Sequence, residues 1–167
     1  MNIYKLTLIS LLAAVCVAGR ICFQFLPNIQ PVTAIIIVAG ALLGVVPAIC
    51  IAIVSTYVTN LFMGMGIWTI WQIFAWSIIG LLAGLIGRYV PARYHLVILT
   101  GFSVLAAFLY GLVLNLGTFT FSGSFFAYML ASIPFDLMHA IGNLVFMLIL
   151  YPVIRRVFQQ NLEKIER

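Results

Sequence analysis

The sequence predicts an all-α integral membrane protein, one bundle of six transmembrane helices with both termini cytoplasmic. Three observations carry this expectation. Of the 167 residues, 65% are hydrophobic and 7% are charged, against about 25% charged in a soluble globular domain. Long charge-free stretches separate the few charges: 67 residues between Arg20 and Arg88, and 42 between Arg93 and Asp136. The Lys and Arg residues also fall almost entirely on one side once the chain is threaded through a bilayer. Disorder is excluded by the same composition. A disulfide scaffold is disfavoured, because Cys16, Cys22 and Cys50 are odd in number and lie in apolar runs.

A spanning helix needs about 20 apolar residues, and helix breakers divide the runs. A first span covers 4–26 and ends at Pro27-Asn28-Ile29-Gln30-Pro31. Pro47, following Gly44, marks the weakest break, dividing a second span at 32–46 from a third at 47–63. Gly64-Met65-Gly66 precedes a fourth span at 68–87, and Arg88–Arg93 forms the one internal basic loop. A fifth span covers 95–116. The uncharged turn 119–124 leads to a sixth span at 126–153, which passes into a basic amphipathic tail over 155–167. All of this forms a single membrane domain, residues 1–167.

With the N-terminus inside, Lys5, Arg88, Arg93, Arg155, Arg156, Lys164 and Arg167 are all cytoplasmic, and only Arg20 approaches the outside. An odd number of spans would place Lys5 and the tail on opposite sides. The net charge of +5 is thus a topology signal, with no bearing on nucleic acid. The first span is read as an uncleaved helix, not a signal peptide.

Polar side chains inside a bilayer are costly and mark sites or pathways. Asp136, His139 and Asn143 follow at i, i+3 and i+7 and share one helix face, which Ser132 extends outward. This stripe reads either as a ligand site or as interhelical glue; His139 alone is the kind of residue that often serves only as a core donor. Asn60 faces a fourth span that opens with Trp68, Trp71, Gln72 and Trp76. That set reads as an outward pocket or as an interfacial aromatic belt. Arg20, Asn28, Gln30 and Asn115 complete an outer half that holds most of the polar groups, above an inner half that is almost purely apolar. This suggests a site open to the outside, not a channel. No P-loop, no H-E-x-x-H and no paired Cys ligands occur. The expectation is therefore a non-enzymatic protein with no metal, no catalytic residues and no cofactor of its own. Ala14 and Ala18, four apart in the first span, would let another helix approach closely.

Together these stretches resemble the substrate-binding (S) component of energy-coupling factor (ECF) vitamin transporters, over nearly the whole chain. The resemblance rests on Gly19-Arg20, the segment Pro27–Thr33, the segment Asn60–Gln72 with its Trp-Thr-Ile-Trp-Gln, and Asp136-Leu-Met-His139-Ala-Ile-Gly-Asn143. Ala14 and Ala18 match the Ala-x-x-x-Ala motif that such proteins turn toward a transmembrane scaffold subunit. The resemblance implies a six-helix bundle in a prokaryotic cell membrane, with an outward pocket made by the outer loops and the fourth to sixth helices. It also implies a complex with a scaffold subunit and two ATPase subunits; ATP is used by those partners, and the S component topples in the membrane to deliver its vitamin. The loop and the Trp-rich stretch look most like the branch that includes cobalamin and pantothenate carriers, with riboflavin and queuosine-type ligands also open. The expected substrate-binding residues are Arg20, Asn28, Gln30, Asn60, Trp68, Trp71, Gln72, Asn115, Asp136, His139 and Asn143. The alternatives are a stand-alone oligomeric carrier or channel, and an intramembrane enzyme using Asp136 and His139.

Overall fold

Apolar runs with few breakers leave the backbone one economical solution in lipid, the α-helix, which satisfies its own hydrogen bonds. The protein, seen in a computed structural model that describes residues 3–161, follows this rule from end to end. The helices are α1 (Ile3–Cys22), α2 (Val32–Leu43), α3 (Val45–Met63), α4 (Trp68–Tyr89), α5 (His95–Ser122) and α6 (Phe125–Gln160), with a short 3-10 turn at Ala92–Tyr94. Lys164 and Arg167, assigned to the basic tail, lie outside the described residues.

Five helices are long and apolar enough to cross a membrane: α1, α3, α4, α5 with its preceding 3-10 turn, and α6. The exception is α2, with 12 residues. At about 1.5 Å per residue it is about 18 Å long, short of a hydrocarbon core of about 30 Å. It is also the most enclosed element. Pro31 through Gly40 are all buried, and α2 packs against every other helix. An apolar helix of this length acts as the core around which the longer ones are arranged.

Several expected boundaries move. The break between the second and third spans falls at Gly44, not Pro47. Gly44 has φ 98°, a conformation that favours glycine. Pro47 sits in the first turn of α3, where its missing N–H leaves no gap in the ladder. The first helix stops at Cys22, four residues before the expected end, and the chain then runs through turns and a bend to Pro31. The turn expected at 119–124 is mostly helical. α5 continues to Ser122 and ends on Gly123, at φ 68°. α6 continues through Pro152 to Gln160.

The exterior is apolar: Leu11, Phe62, Ile70, Leu105, Leu130 and Ile141 all face outward. The buried set, by contrast, includes Thr33, Asn60, Gln72, Asn115, Asp136, His139 and Asn143. A bundle with its polar groups inside and its apolar groups outside is suited to lipid.

Glycines let α4 approach the α2–α3 hairpin. A Cβ added at Gly80 would lie 2.9 Å from the Ala48 Cβ, and one at Gly87 would overlap the backbone of Ala41. Gly101 on α5, by contrast, faces open space. Gly87→Ala should therefore lower stability by about 1–3 kcal/mol, as overpacking against rigid backbone does. Gly101→Ala should be neutral or stabilising by up to about 1 kcal/mol. Thermal unfolding of the two purified variants checks the contrast, and equal midpoints would rule out the close α2–α4 approach.

Candidate functional site

The polar interior is organised around Thr33 on α2. Its Oγ1 accepts the Trp76 Nε1 hydrogen at 2.9 Å and lies 2.8 Å from His139 Nε2. A hydroxyl that accepts from an indole N–H keeps its own hydrogen for a second partner, and the imidazole is placed to take it. Tyr110 on α5 closes the cluster. Its ring centroid lies 4.7 Å from that of Trp76 and 5.2 Å, edge-on, from that of His139. Arg20 on α1 stands over Trp76 at 5.2 Å and donates from Nη1 to Thr59 Oγ1 on α3 at 3.0 Å. The Thr59 hydroxyl in turn bonds the Ser55 carbonyl. Each of the six helices thus contributes one member: Arg20, Thr33, Thr59, Trp76, Tyr110 and His139.

A cavity lies toward one end of the bundle from this cluster, with two adjoining lobes. The first, about 150 Å³, is bordered by Arg20, the loop residues Asn28, Ile29 and Gln30, and by Met63, Gln72 and Tyr110. The second, about 350 Å³, lies between α5 and α6 and is bordered by Asn115, Thr118, Ser132, Phe135 and Asp136, with Gly111 and Leu114. Asn28, Gln72 and Tyr110 wall both lobes. The Arg88, Arg93, Arg155 and Arg156 positions belong to the opposite helix ends.

Local structure explains each wall. Asn28 has φ 55°, a left-handed conformation that Asn tolerates, and its Nδ2 donates to the Phe135 carbonyl at 3.2 Å, tying the loop to α6. Pro31 rests on Gly19 and Ile29 on Gly142. Asn60 Nδ2 donates to Gln72 Oε1 at 2.7 Å and to Thr69 Oγ1 at 2.8 Å, so the Gln72 amide is held from behind. Asn115 Nδ2 donates to Ser132 Oγ at 2.8 Å, and Ser132 Oγ lies 2.9 Å from Asp136 Oδ2. Gly111 leaves room for that carboxyl group, which any side chain at 111 would overlap.

Of the expected site residues, Arg20, Asn28, Gln30, Gln72, Asn115 and Asp136 border the cavity. Asn60 and His139 stand one layer behind it. Three others do not line it. Trp68 is half exposed and covers Gly66; Trp71 packs on Gly117 and Phe74. Asn143 donates to the Ser103 carbonyl at 2.9 Å, joining α6 to α5. The Trp set is therefore not one pocket wall: Trp76 forms part of the cluster next to it, and the other two pack elsewhere. Asp136 and His139 share a helix face but hold different partners, Ser132 and Thr33. Tyr110, Thr33 and Thr59 are the members that sequence reasoning missed as site residues, since each is compatible with an apolar run. The neighbouring Gly111 and Asn115, four apart on one face, were the available signal for α5. Among the described residues, no three His, Cys, Asp or Glu side chains converge as metal ligands. Ala14 and Ala18 border a separate apolar groove of about 680 Å³ between α1 and α3, with Val17, Cys50, Val54 and Val58.

The fold and the cavity define a class: an all-helical bundle with an apolar exterior, five helices fit to cross a membrane, and a polar chamber near one end. Within that class, the chain belongs to DUF6580, a family of unknown function, which it matches over residues 2–165. No curated protein and no solved structure matches it.

Thr33→Val should lower stability by about 1–3 kcal/mol, since it leaves the Trp76 N–H and the His139 ring nitrogen buried without their shared partner. Thr33→Ser should restore most of the loss. Denaturant unfolding in detergent checks both, and wild-type stability of the Val variant would remove Thr33 from its linking role.

Proposed function

We propose that this protein is the substrate-binding (S) component of an ECF-type importer. In this reading it captures a vitamin of the cobalamin or pantothenate kind from outside the cell and releases it inward with a scaffold subunit and two ATPase subunits. The chain then crosses a prokaryotic cell membrane six times, with α2 as the short central pass and both termini in the cytoplasm. The observation that carries the reading is the cavity itself. It is polar, bordered by the 28–30 loop and the outer ends of α4, α5 and α6, and it stands over a core that is apolar along the rest of α2. The basic residues at the opposite helix ends support an outward orientation for it. A chamber closed on the inner side suits a binding subunit that relies on partners for movement, and speaks against an open channel. The separate partners of Asp136 and His139 speak against an acid–base pair.

The exposed Ala14 and Ala18 support a contact with the scaffold. They lie on the lipid-facing side of α1, beside an apolar groove that another helix can approach.

Two measurements test the proposal. Native mass spectrometry of the purified chain should find one small molecule bound with one-to-one stoichiometry. Cells carrying Ala14→Leu or Ala18→Leu should lose uptake while the purified variants still bind. Full-rate uptake by the lone chain in energised vesicles would overturn the assignment, and normal uptake by both Leu variants would remove the coupling face.

A further inference from the structure

The cavity carries two opposite charges that do not neutralise each other. Arg20 faces the loop-side lobe, where it donates to the Thr59 hydroxyl, stands over the Trp76 ring and lies near Tyr110, with no carboxylate partner among the described residues. Asp136, the only acidic residue among those described, faces the other lobe and holds Ser132. A charge inside a bundle of this kind is costly unless it is paired or hydrogen-bonded. Nevertheless the fold keeps the two apart, with Asn28, Gln72 and Tyr110 walling the space that joins the lobes.

Both lobes keep hydrogen-bonding capacity that the protein does not use. A guanidinium has five N–H donors, and Thr59 takes one from Arg20. Gln72 commits Oε1 to Asn60 and one Nε2 hydrogen to the Tyr110 hydroxyl, which leaves its second Nε2 hydrogen beside Arg20 in the same lobe. In the other lobe, Asp136 commits Oδ2 to Ser132, leaving Oδ1 as an acceptor. Asn28 commits Nδ2 to Phe135, leaving its own oxygen as an acceptor between the lobes. The cationic donor therefore stands at one end of the cavity and the carboxyl acceptor at the other.

We propose that the cavity binds a compact carboxylic acid with a second polar end: its carboxylate on Arg20 and Gln72, its hydroxyl or ammonium on Asp136. This rests on the reading of the cavity as the capture site and names the chemistry it selects. The fork of Arg20 suits a carboxylate bidentately. The two adjoining lobes, at about 150 and 350 Å³, together fall within the range of small-molecule pockets and suit a flexible acid that reaches from one lobe into the other. Gly111 is a specificity position, because its missing side chain is what lets Asp136 stand against α5.

The test is thermal unfolding of the purified full chain with ω-amino and ω-hydroxy carboxylic acids of graded length, each compared with its methyl ester. At least one acid should raise the midpoint saturably, and its ester should bind about 10- to 100-fold more weakly, the loss expected for a charge-assisted bond. Preference for the amino series identifies an ammonium opposite Asp136, and preference for the hydroxy series identifies a hydroxyl. Asp136→Asn should erase an amino preference but keep the carboxylate requirement. Arg20→Gln should erase that requirement, and Arg20→Lys should keep part of it. The ester comparison needs no substitution and so does not depend on the variants folding. Esters that bind as well as their acids, or a series in which no acid binds at millimolar concentration, would overturn the proposal. Partner-free uptake would instead overturn the importer assignment and leave the acid preference standing.

Discussion

The bundle depends on the rule that a polar group inside an apolar solvent must find its partner within the protein. Thr33 Oγ1 shows how much this fixes. One hydroxyl engages the Trp76 indole and the His139 imidazole, and so sets the rotation of α4 and α6 about α2. Tyr110 touches both rings, tilted on Trp76 and edge-on to His139, and adds α5; Arg20, resting on Trp76 and bonded to Thr59, adds α1 and α3. Apolar packing alone is not selective in lipid, because a leucine surface meets a lipid tail about as well as another leucine. Directional bonds select one arrangement among many compact ones.

The same arrangement builds the cavity. The side chains that join the helices stop short of the loop, and beyond them the cavity is bordered by polar groups that neighbouring helices hold in place. Gln72 is fixed by Asn60 and Asp136 by Ser132, so the free atoms of both are aimed by bonds made behind them. Glycines work to the opposite effect on the other side of α2, where Gly80 and Gly87 bring α4 into close contact and leave no room. Openness at one end and tight packing at the other both come from side-chain size and bonding along α4.

Much of the fold was legible in the sequence, for reasons of solvent. Charge-free lengths and breakers placed the helices because lipid penalises both charges and unpaired backbone. Legibility failed where two breakers competed. Pro47 looks like the stronger break, yet a proline is harmless in a first turn, and Gly44 alone can take φ 98°. It failed again at 119–122, where α5 continues and Thr120 bonds the Gly117 carbonyl of its own helix. In the site, isolated polar residues such as Arg20, Gln72 and Asp136 stood out against an apolar background. Tyr110, Thr33 and Thr59 did not, because each is compatible with an apolar run. Nor could spacing tell a tryptophan that borders a cavity from one that fills a glycine notch, since Trp71 and Trp76 differ by the neighbours that other helices bring.

The shortness of α2 has a last consequence. α2 and α3 part at a single residue, Gly44, and run alongside each other, but α2 has 12 residues and α3 has 19. At about 1.5 Å per residue, α2 stops about 10 Å before its neighbour. The chain that enters α2 at that end is a non-helical strap, whose Asn28, Ile29 and Gln30 border the loop-side lobe. Pro27 and Pro31 hold that strap out of helical form, since each disfavours helix in the residue before it. A short helix thus leaves loop, not helix, at the cavity's edge, and two prolines keep that loop from coiling.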